Sequence, residues 1–418
     1  MRFFRIYIYL KFFVFVKSLI TSVDNSKKRN IEKTFNKITN KKFSFITSQL
    51  RVGFVLVLQY LIRKHPDKNE IIISSYNLAE MVNICKNLKL KLVFGRLNEN
   101  IFICDKDLKK KINHKTLGVV VTNMFNDHTE LIKVKKLCRK HKVSLIEDNA
   151  IYFGNYYKNK KGSVFSGSFG NYSLHSFNIM KNISAMYGGL VSTNDKNFIK
   201  FAKKETENYK NFPKFKFLKQ VVTFLVLKIF AINIFYKLFF FHLLKLVHQK
   251  DITFIKQLIY PSLKFNKKIQ YNSYLNNIHP LSVLMINEQL KDKKHFTFSR
   301  KKRMKNNILY HHLFKKYKII QVKTINLKVK SFQNFNEYPI LVQNKDKLIN
   351  YLFDNGIETK IIHYVDCHKI FRNSSREKSS QDFENKIICL PNHENIPEKY
   401  IKYIVRVIFH FYRKPSRF

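Results

Sequence analysis

Short apolar runs separated by helical stretches constrain the fold of this chain more than any other feature. Glu70–Ser75 (EIIISS), Lys91–Phe94, Leu117–Thr122 (LGVVVT) and Val143–Glu147 (VSLIE) read as strands, and Phe43–Thr47 as a shorter one. Val52–Leu61, Ala79–Leu88 and Glu130–His141 read as helices, the last with a basic end. This alternation predicts an α/β fold, with a mainly parallel sheet covered by helices on both faces. Residues 263–318 read as a long helical region. Short α/β units then return: a strand over Tyr338–Val342, a helix over Lys345–Asn355 ended by Gly356, a strand over Ile357–His363 and a closing helix over Ile396–Phe411. The 418 residues suffice for one large two-part unit. The expected organisation is an apolar and basic segment over 1–27, a large domain over 28–300 interrupted by a hydrophobic insert at 211–262, and a smaller C-terminal α/β domain over 301–418.

Charge enters the argument through partners. With 78 Lys+Arg against 28 Asp+Glu, the formal net charge is +50. Lys, Asn, Ile and Phe are abundant together, which biased codon use explains. The functional reading is attraction to an anionic membrane surface or to phosphorylated substrates. The basic residues are spread along the chain and form no nucleic-acid motif, so no nucleic-acid partner is expected. Five widely spaced cysteines without a CxxC pair argue against a disulfide framework or a zinc site, and for a reducing, cytoplasmic setting.

Two segments are hydrophobic enough to raise the question of a membrane. Residues 1–24 resemble a poor signal peptide: Arg5, Lys11 and Lys17 interrupt the run and no small-residue cleavage site follows. A span needs about 20 apolar residues, and a central Lys costs on the order of 3 kcal/mol. A membrane-surface segment or a helix packed on the domain fits better. Val221–Val247 carries Lys228, Lys237 and Lys245 spaced through an apolar run, as one imperfect amphipathic helix or two. A core helix pair and an interfacial element with snorkelling lysines both satisfy that pattern.

The chemistry concentrates between Val143 and Asp195. A strand ends on Glu147-Asp148. Then come SFGNYSLHSF, Lys181, Gly188-Gly189 and a further strand, LVST. Ligands of open α/β sheets sit at the carboxyl ends of the strands, so Asp148 and Lys181 can reach one crevice. A lysine amine and a carboxylate are the pair that pyridoxal phosphate (PLP) chemistry requires: one holds the cofactor covalently and moves the proton, the other keeps the pyridine nitrogen protonated. A hydroxyl such as that of Ser176 can hold the phosphate.

The ordered set IEDNAIYFG, SFGNYSLHSFNIMKN, MYGG and VSTND resembles the nucleotide-sugar aminotransferases of the DegT/StrS type, within PLP fold type I. IISSYNLAEMVNICKNLKLKLVF and LGVVVTNMFND upstream, and QYNSYLNNIHPLSVLMINEQL, GIETKIIHYVDCHK and CLPNHENI downstream, extend the resemblance over roughly 30–205 and 265–410. It implies an aminotransferase that passes an amino group, from glutamate by likeness, to a nucleotide-linked keto-sugar for surface polysaccharide or glycan precursors. It implies Lys181 as the catalytic lysine and Asp148 as the pyridinium partner. Ser176, Ser48 and Arg51 fall to the cofactor phosphate, Tyr76 to the ring, and His363 and His368 to the substrate. Asn272 would reach the phosphate of the partner subunit, which makes the expected enzyme a homodimer. The departures are also specific. Ile151 replaces a family Gln, Gln49 and Leu50 replace the Gly-Thr phosphate loop, and Leu78 replaces the stacking aromatic. Tyr274, Asn178-Ile179-Met180 and Tyr187 replace an Arg, a His-Pro-Thr and a Glu. They motivate an alternative: a degenerate, non-catalytic member that acts as a membrane-associated binding or regulatory subunit. The insert at 211–262 is foreign to the family pattern and is expected to hold the protein at the inner membrane face.

Overall fold

The expected apolar strands assemble edge to edge into one seven-stranded sheet. The computed structural model describes all residues except 1, 6, 23, 126–127, 152, 161, 250–267, 325–330, 333–334, 360–363, 372–377 and 414–418. The sheet comprises β1 (Phe43–Thr47), β2 (Glu70–Ser74), β4 (Lys91–Gly95), β5 (Thr116–Thr122), β6 (Ser144–Asp148), β9 (Tyr172–Ser176) and β10 (Gly189–Thr193), in the order β1-β10-β9-β6-β5-β2-β4. From β4 to β9 every pairing is parallel, whereas β10 runs antiparallel to both β9 and β1. Every residue of β2 and β5 is buried. The alternation of side chains divides them between two cores. Ile71 and Ile73 face α3 (Leu50–Lys64) and α4 (Ala79–Asn87), while Ile72 and Val119 face the side of α5 (Asp105–Lys111) and α6 (His128–Lys140).

A second, antiparallel sheet carries β11 (Val322–Thr324), β13 (Glu337–Val342) and β15 (Ile387–Pro391). Of the expected helical stretch over 263–318, the part from Pro280 onward forms α10 (Pro280–Lys291) and α11 (Lys293–Tyr317), which meet at Asp292; 268–279 is a 3-10 turn and loop, and 263–267 lies outside the described residues. The expected strand at Ile357–His363 is not formed over 357–359, and its remainder lies outside the described residues. A two-residue strand, β14 (Val365–Asp366), pairs instead with β3 (Tyr76–Asn77) at the carboxyl end of β2. The hairpin of β7 (Tyr156–Asn159) and β8 (Gly162–Phe165), which β12 (Ser331–Phe332) joins, was not expected; its four-residue strands are half exposed and have no fully buried residue.

The N-terminal segment is built into the protein. Phe4, Ile8, Tyr9 and Leu10 are buried, and Arg5 pairs with Glu358 at 3.1 Å and Glu337 at 3.2 Å. Only α1 (Phe12–Ile20) is helical, and Phe12, Phe13, Leu19 and Ile20 stand exposed on it. The insert forms α8 (Lys214–Phe230) and a second helix, α9 (Asn233–Gln249), bent from it by 80°. Its inner face packs in the core through Phe217, Phe224, Tyr236, Phe240, Phe241 and Leu244. Its outer face exposes Phe215, Leu218, Val222, Val226 and Ile229 on α8, then Leu238, Phe239, Leu243 and Leu246 on α9. The insert thus shares features of both expected readings. No single helix among the described residues is long and apolar enough to cross a membrane.

Candidate active site

The carboxyl edge of the large sheet gathers the chemistry. Thr47 pairs with Gly189, and Gly189 with Ser176, so the ends of β1 and β9 lie in one row; Asp148 pairs with both Thr122 and Leu174. Gly189 is required there. A Cβ on it would lie 2.3 Å from the backbone carbon of Gln49, so the glycine lets β10 meet the turn that opens α3.

Asp148 ends β6 with its carboxyl buried. Oδ1 accepts the Ala150 N–H at 2.9 Å. Burial pushes its pKa up to about 6, against the opposing pull of the Ala150 N–H and the Lys181 charge. Lys181 stands in a loop held from several sides. Its N–H donates to the Asn178 carbonyl at 2.9 Å, and the Ala185 N–H to the Phe177 carbonyl at 2.8 Å. Asn182 Nδ2 donates to the Phe153 carbonyl at 2.8 Å, and Gln289 bonds both the N–H and the carbonyl of Ser184. Beneath Asp148, Glu147 is fully buried and accepts from the N–H groups of Gly167 and Phe169, from that of Gly170 and from Ser173 Oγ. The strand end is therefore fixed from below.

The other expected residues divide. Ser176 ends β9 half-buried, beside Gly189. Ser48 is buried at the start of α3 with Oγ unpartnered, and it also borders a cavity of about 260 Å³ behind β1 lined by Lys28, Arg29, Glu32 and Lys203. Arg51 lies in the first turn of α3. Tyr76 is buried at the end of β2, its hydroxyl unpartnered and its ring 5.9 Å from that of Tyr364. Asn272 is exposed on a 3-10 turn, pointing away from the chain's own core. His363 lies outside the described residues. His368 is buried on Phe94 at the end of β4, with ring centres 4.5 Å apart. Three strand spacings of about 4.8 Å separate β4 from Asp148's strand, roughly 14 Å. The short β14 pairing carries His368 to that far edge.

Three contributors escaped the sequence reading. Tyr364, adjacent to His363, feels the Asp148 charge, and burial with that charge raises its phenol pKa. From the insert, Gln220 Nε2 donates to Asn178 Oδ1 at 3.1 Å, and Lys216 lies over the Tyr187 ring at 5.6 Å. Asn178 and Tyr187 are two of the departures, and each touches the insert.

The family profile of the DegT/DnrJ/EryC1/StrS aminotransferases matches residues 16–215 and 254–409. The chain belongs to this family. Aminotransferases of the family are PLP-dependent. The profile passes over 216–253, most of the insert. The chain is similar to the UDP-4-amino-4,6-dideoxy-N-acetyl-beta-L-altrosamine transaminase of Helicobacter pylori, 33% identical over 31% of this chain and 33% of that protein. It is similar also to the GDP-perosamine synthase of Escherichia coli O157:H7, 28% identical over 41% and 47%. The aligned stretches thus span a third to just under half of these relatives. In fold it resembles the Helicobacter pylori aminotransferase PseC, involved in the biosynthesis of pseudoaminic acid, with a TM-score of 0.73 over 99% of both chains at 19% identity.

The residues present fit PLP. Burial pushes the Asp148 carboxyl up to about 6, and a protonated pyridine nitrogen is a cation that would favour its ionised form. Unpartnered Ser48 Oγ and Gln49 Nε2 are buried where α3 begins, an edge that suits a phosphate. The Asp148 shift also predicts a stability effect. A carboxyl whose folded pKa lies above its unfolded value destabilises the fold once pH exceeds the unfolded value. A rise from 3.8 to about 6 corresponds to about 3 kcal/mol. Cofactor-free Asp148→Asn is expected to melt above wild type at pH 8, the gap closing as pH falls towards about 4. PLP should raise the wild-type melting temperature more than that of the variant.

Proposed function

We propose that this chain is a PLP-dependent aminotransferase that passes an amino group, from glutamate, to a nucleotide-linked keto-sugar. One observation carries the reading: a buried carboxyl at the end of β6 lies under the charge of Lys181, within the span matched to the family. When bound, PLP supplies an electron sink for a developing carbanion. Lys181 Nζ holds the cofactor and, once freed, moves the proton to and from the reacting carbon. Asp148 keeps a proton on the ring nitrogen. Ser176 and Ser48 bind the phosphate. The test is release of 2-oxoglutarate from glutamate by the protein supplied with PLP and a nucleotide-linked keto-sugar. No release from protein that retains PLP removes this reading.

The exposed Asn272 supports a homodimer in which the partner's Asn272 completes the phosphate site. Lys181→Ala and Asn272→Asp chains, each inactive alone, should regain activity on mixing, to a quarter of wild type at most by statistics. No recovery from mixed dimers would set the shared site aside.

The insert supports peripheral contact with the inner membrane face. Its outer stripe recurs at helical spacing, and no acidic residue occurs from 208 to 250. Val222→Ser with Val226→Ser, both outward on α8, should cut sedimentation with phosphatidylglycerol vesicles about tenfold while leaving the melting temperature unchanged. Undiminished sedimentation would exclude that face.

A further inference from the structure

The insert adds a second cation to the edge where the family's phosphate loop has been lost. Arg51, in the first turn of α3, holds its guanidinium 4.8 Å from the centre of the Tyr274 ring. Lys216, in the first turn of α8, holds Nζ 5.6 Å from the ring centres of both Tyr187 and Phe212. A bridge between Gln49 and Gly188 keeps the start of α3 against the segment that carries Tyr187. The first turns of the two helices therefore converge. The Arg51 charge acts on both the Tyr187 phenol and the Lys216 ammonium. Burial, and after it Arg51, lowers the Lys216 pKa. Neither cation has a carboxylate partner among the described residues.

Two like charges held together in an aromatic frame repel each other, and an anion between them turns that repulsion into attraction. The amides at the start of α3 favour the same sign of ligand, and the buried, unpartnered Gln49 Nε2 and Ser48 Oγ lie beside them. We propose that Arg51 and Lys216 clamp a phosphate ester, so that the insert supplies half of a phosphate site in place of the missing Gly-Thr loop. Lys216 is the first residue of the stretch that the family profile passes over, 216–253. The clamp rests on the reading of the chain as a PLP enzyme. Its phosphate is that of the cofactor or that of the nucleotide-linked sugar; the chemistry is shared.

The test uses the full chain with Lys216→Gln. PLP affinity is read by absorbance titration, UDP and GDP affinity by calorimetry, and stability by melting without ligand. One affinity is expected to fall at least tenfold, with Lys216→Arg restoring most of it. Loss in the PLP arm assigns the cofactor phosphate, and loss in a nucleotide arm the substrate. The ligand-free melting temperature is expected to hold or rise, because a repulsion has been removed; a packing role for Lys216 would lower it. Wild type that retains no PLP would overturn the enzyme reading itself. Wild type that retains PLP, with all affinities of Lys216→Gln within twofold, would overturn the clamp alone.

Discussion

Lys181→Ala removes the visible absorbance band that the wild-type protein develops with PLP, and lowers transamination by at least about 10³-fold. The magnitude follows from the two tasks that end on one nitrogen: covalent attachment, and a proton transfer that in general acid–base catalysis is worth roughly 10²–10⁴ by itself. A folding defect is distinguishable by pH. Lys181 opposes the burial that raises the Asp148 pKa to about 6, so the stability that it contributes through Asp148 is lost only where Asp148 is ionised. At pH 5 most of Asp148 is protonated, and variant and wild type should melt close together; at pH 8 the variant should melt lower. A band that survives in the variant would remove Lys181 from its role. Its absence from folded wild type would favour the non-catalytic reading, which Ile151 and Gln49-Leu50 motivate.

The sheet was legible because its strands bury both faces. EIIISS and LGVVVT admit few other readings, and their carboxyl ends fix where Asp148 and Lys181 must meet. The hairpin at Tyr156–Phe165 was not legible, since strands of four residues, YYKN and GSVF, are too short to show a hydrophobic period. The place of His368 was not legible either, because a motif reports sequence neighbours, whereas the pairing of Val365 and Asp366 with Asn77 and Tyr76 decides which strand end it reaches. Gln220 and Lys216 were hidden for a different reason. Their partners Asn178 and Tyr187 look like losses when compared with the family. They acquire contacts only once α8 is laid against them. The N-terminal segment packs on the domain, one of the two readings its composition left open. Arg5 interrupts an apolar run, as it would in a poor signal peptide, yet the interruption is where the segment is tied most firmly to the rest of the chain.

That tie yields the largest expected loss of stability. Arg5 is 3% exposed and Glu358 is 1% exposed. The Arg5 Nε donates to Glu358 Oε1 at 3.1 Å, and Oε2 accepts from the Arg5 N–H and from Tyr236 of the insert at 2.9 Å. Arg5→Ala leaves Glu358 buried and without its cation, a change that costs about 3–5 kcal/mol in comparable pairs. Glu337 is more accessible and can turn to water, so most of the effect belongs to Glu358. Arg5→Met with Glu358→Gln should recover much of the loss, because the uncompensated charge goes with its partner and the amide oxygen can still accept from Tyr236. The damage should spread along the contacts of the segment. Phe4 lies 5.2 Å from the Tyr236 ring and 5.7 Å from Phe240, so α9 loses its inner support when the segment loosens. Limited proteolysis of Arg5→Ala is therefore expected to cut first within 214–249, at a rate well above wild type, while the large sheet stays protected. Equal proteolysis of both proteins, with equal melting temperatures, would mean that the N-terminal segment lies on the fold without holding it.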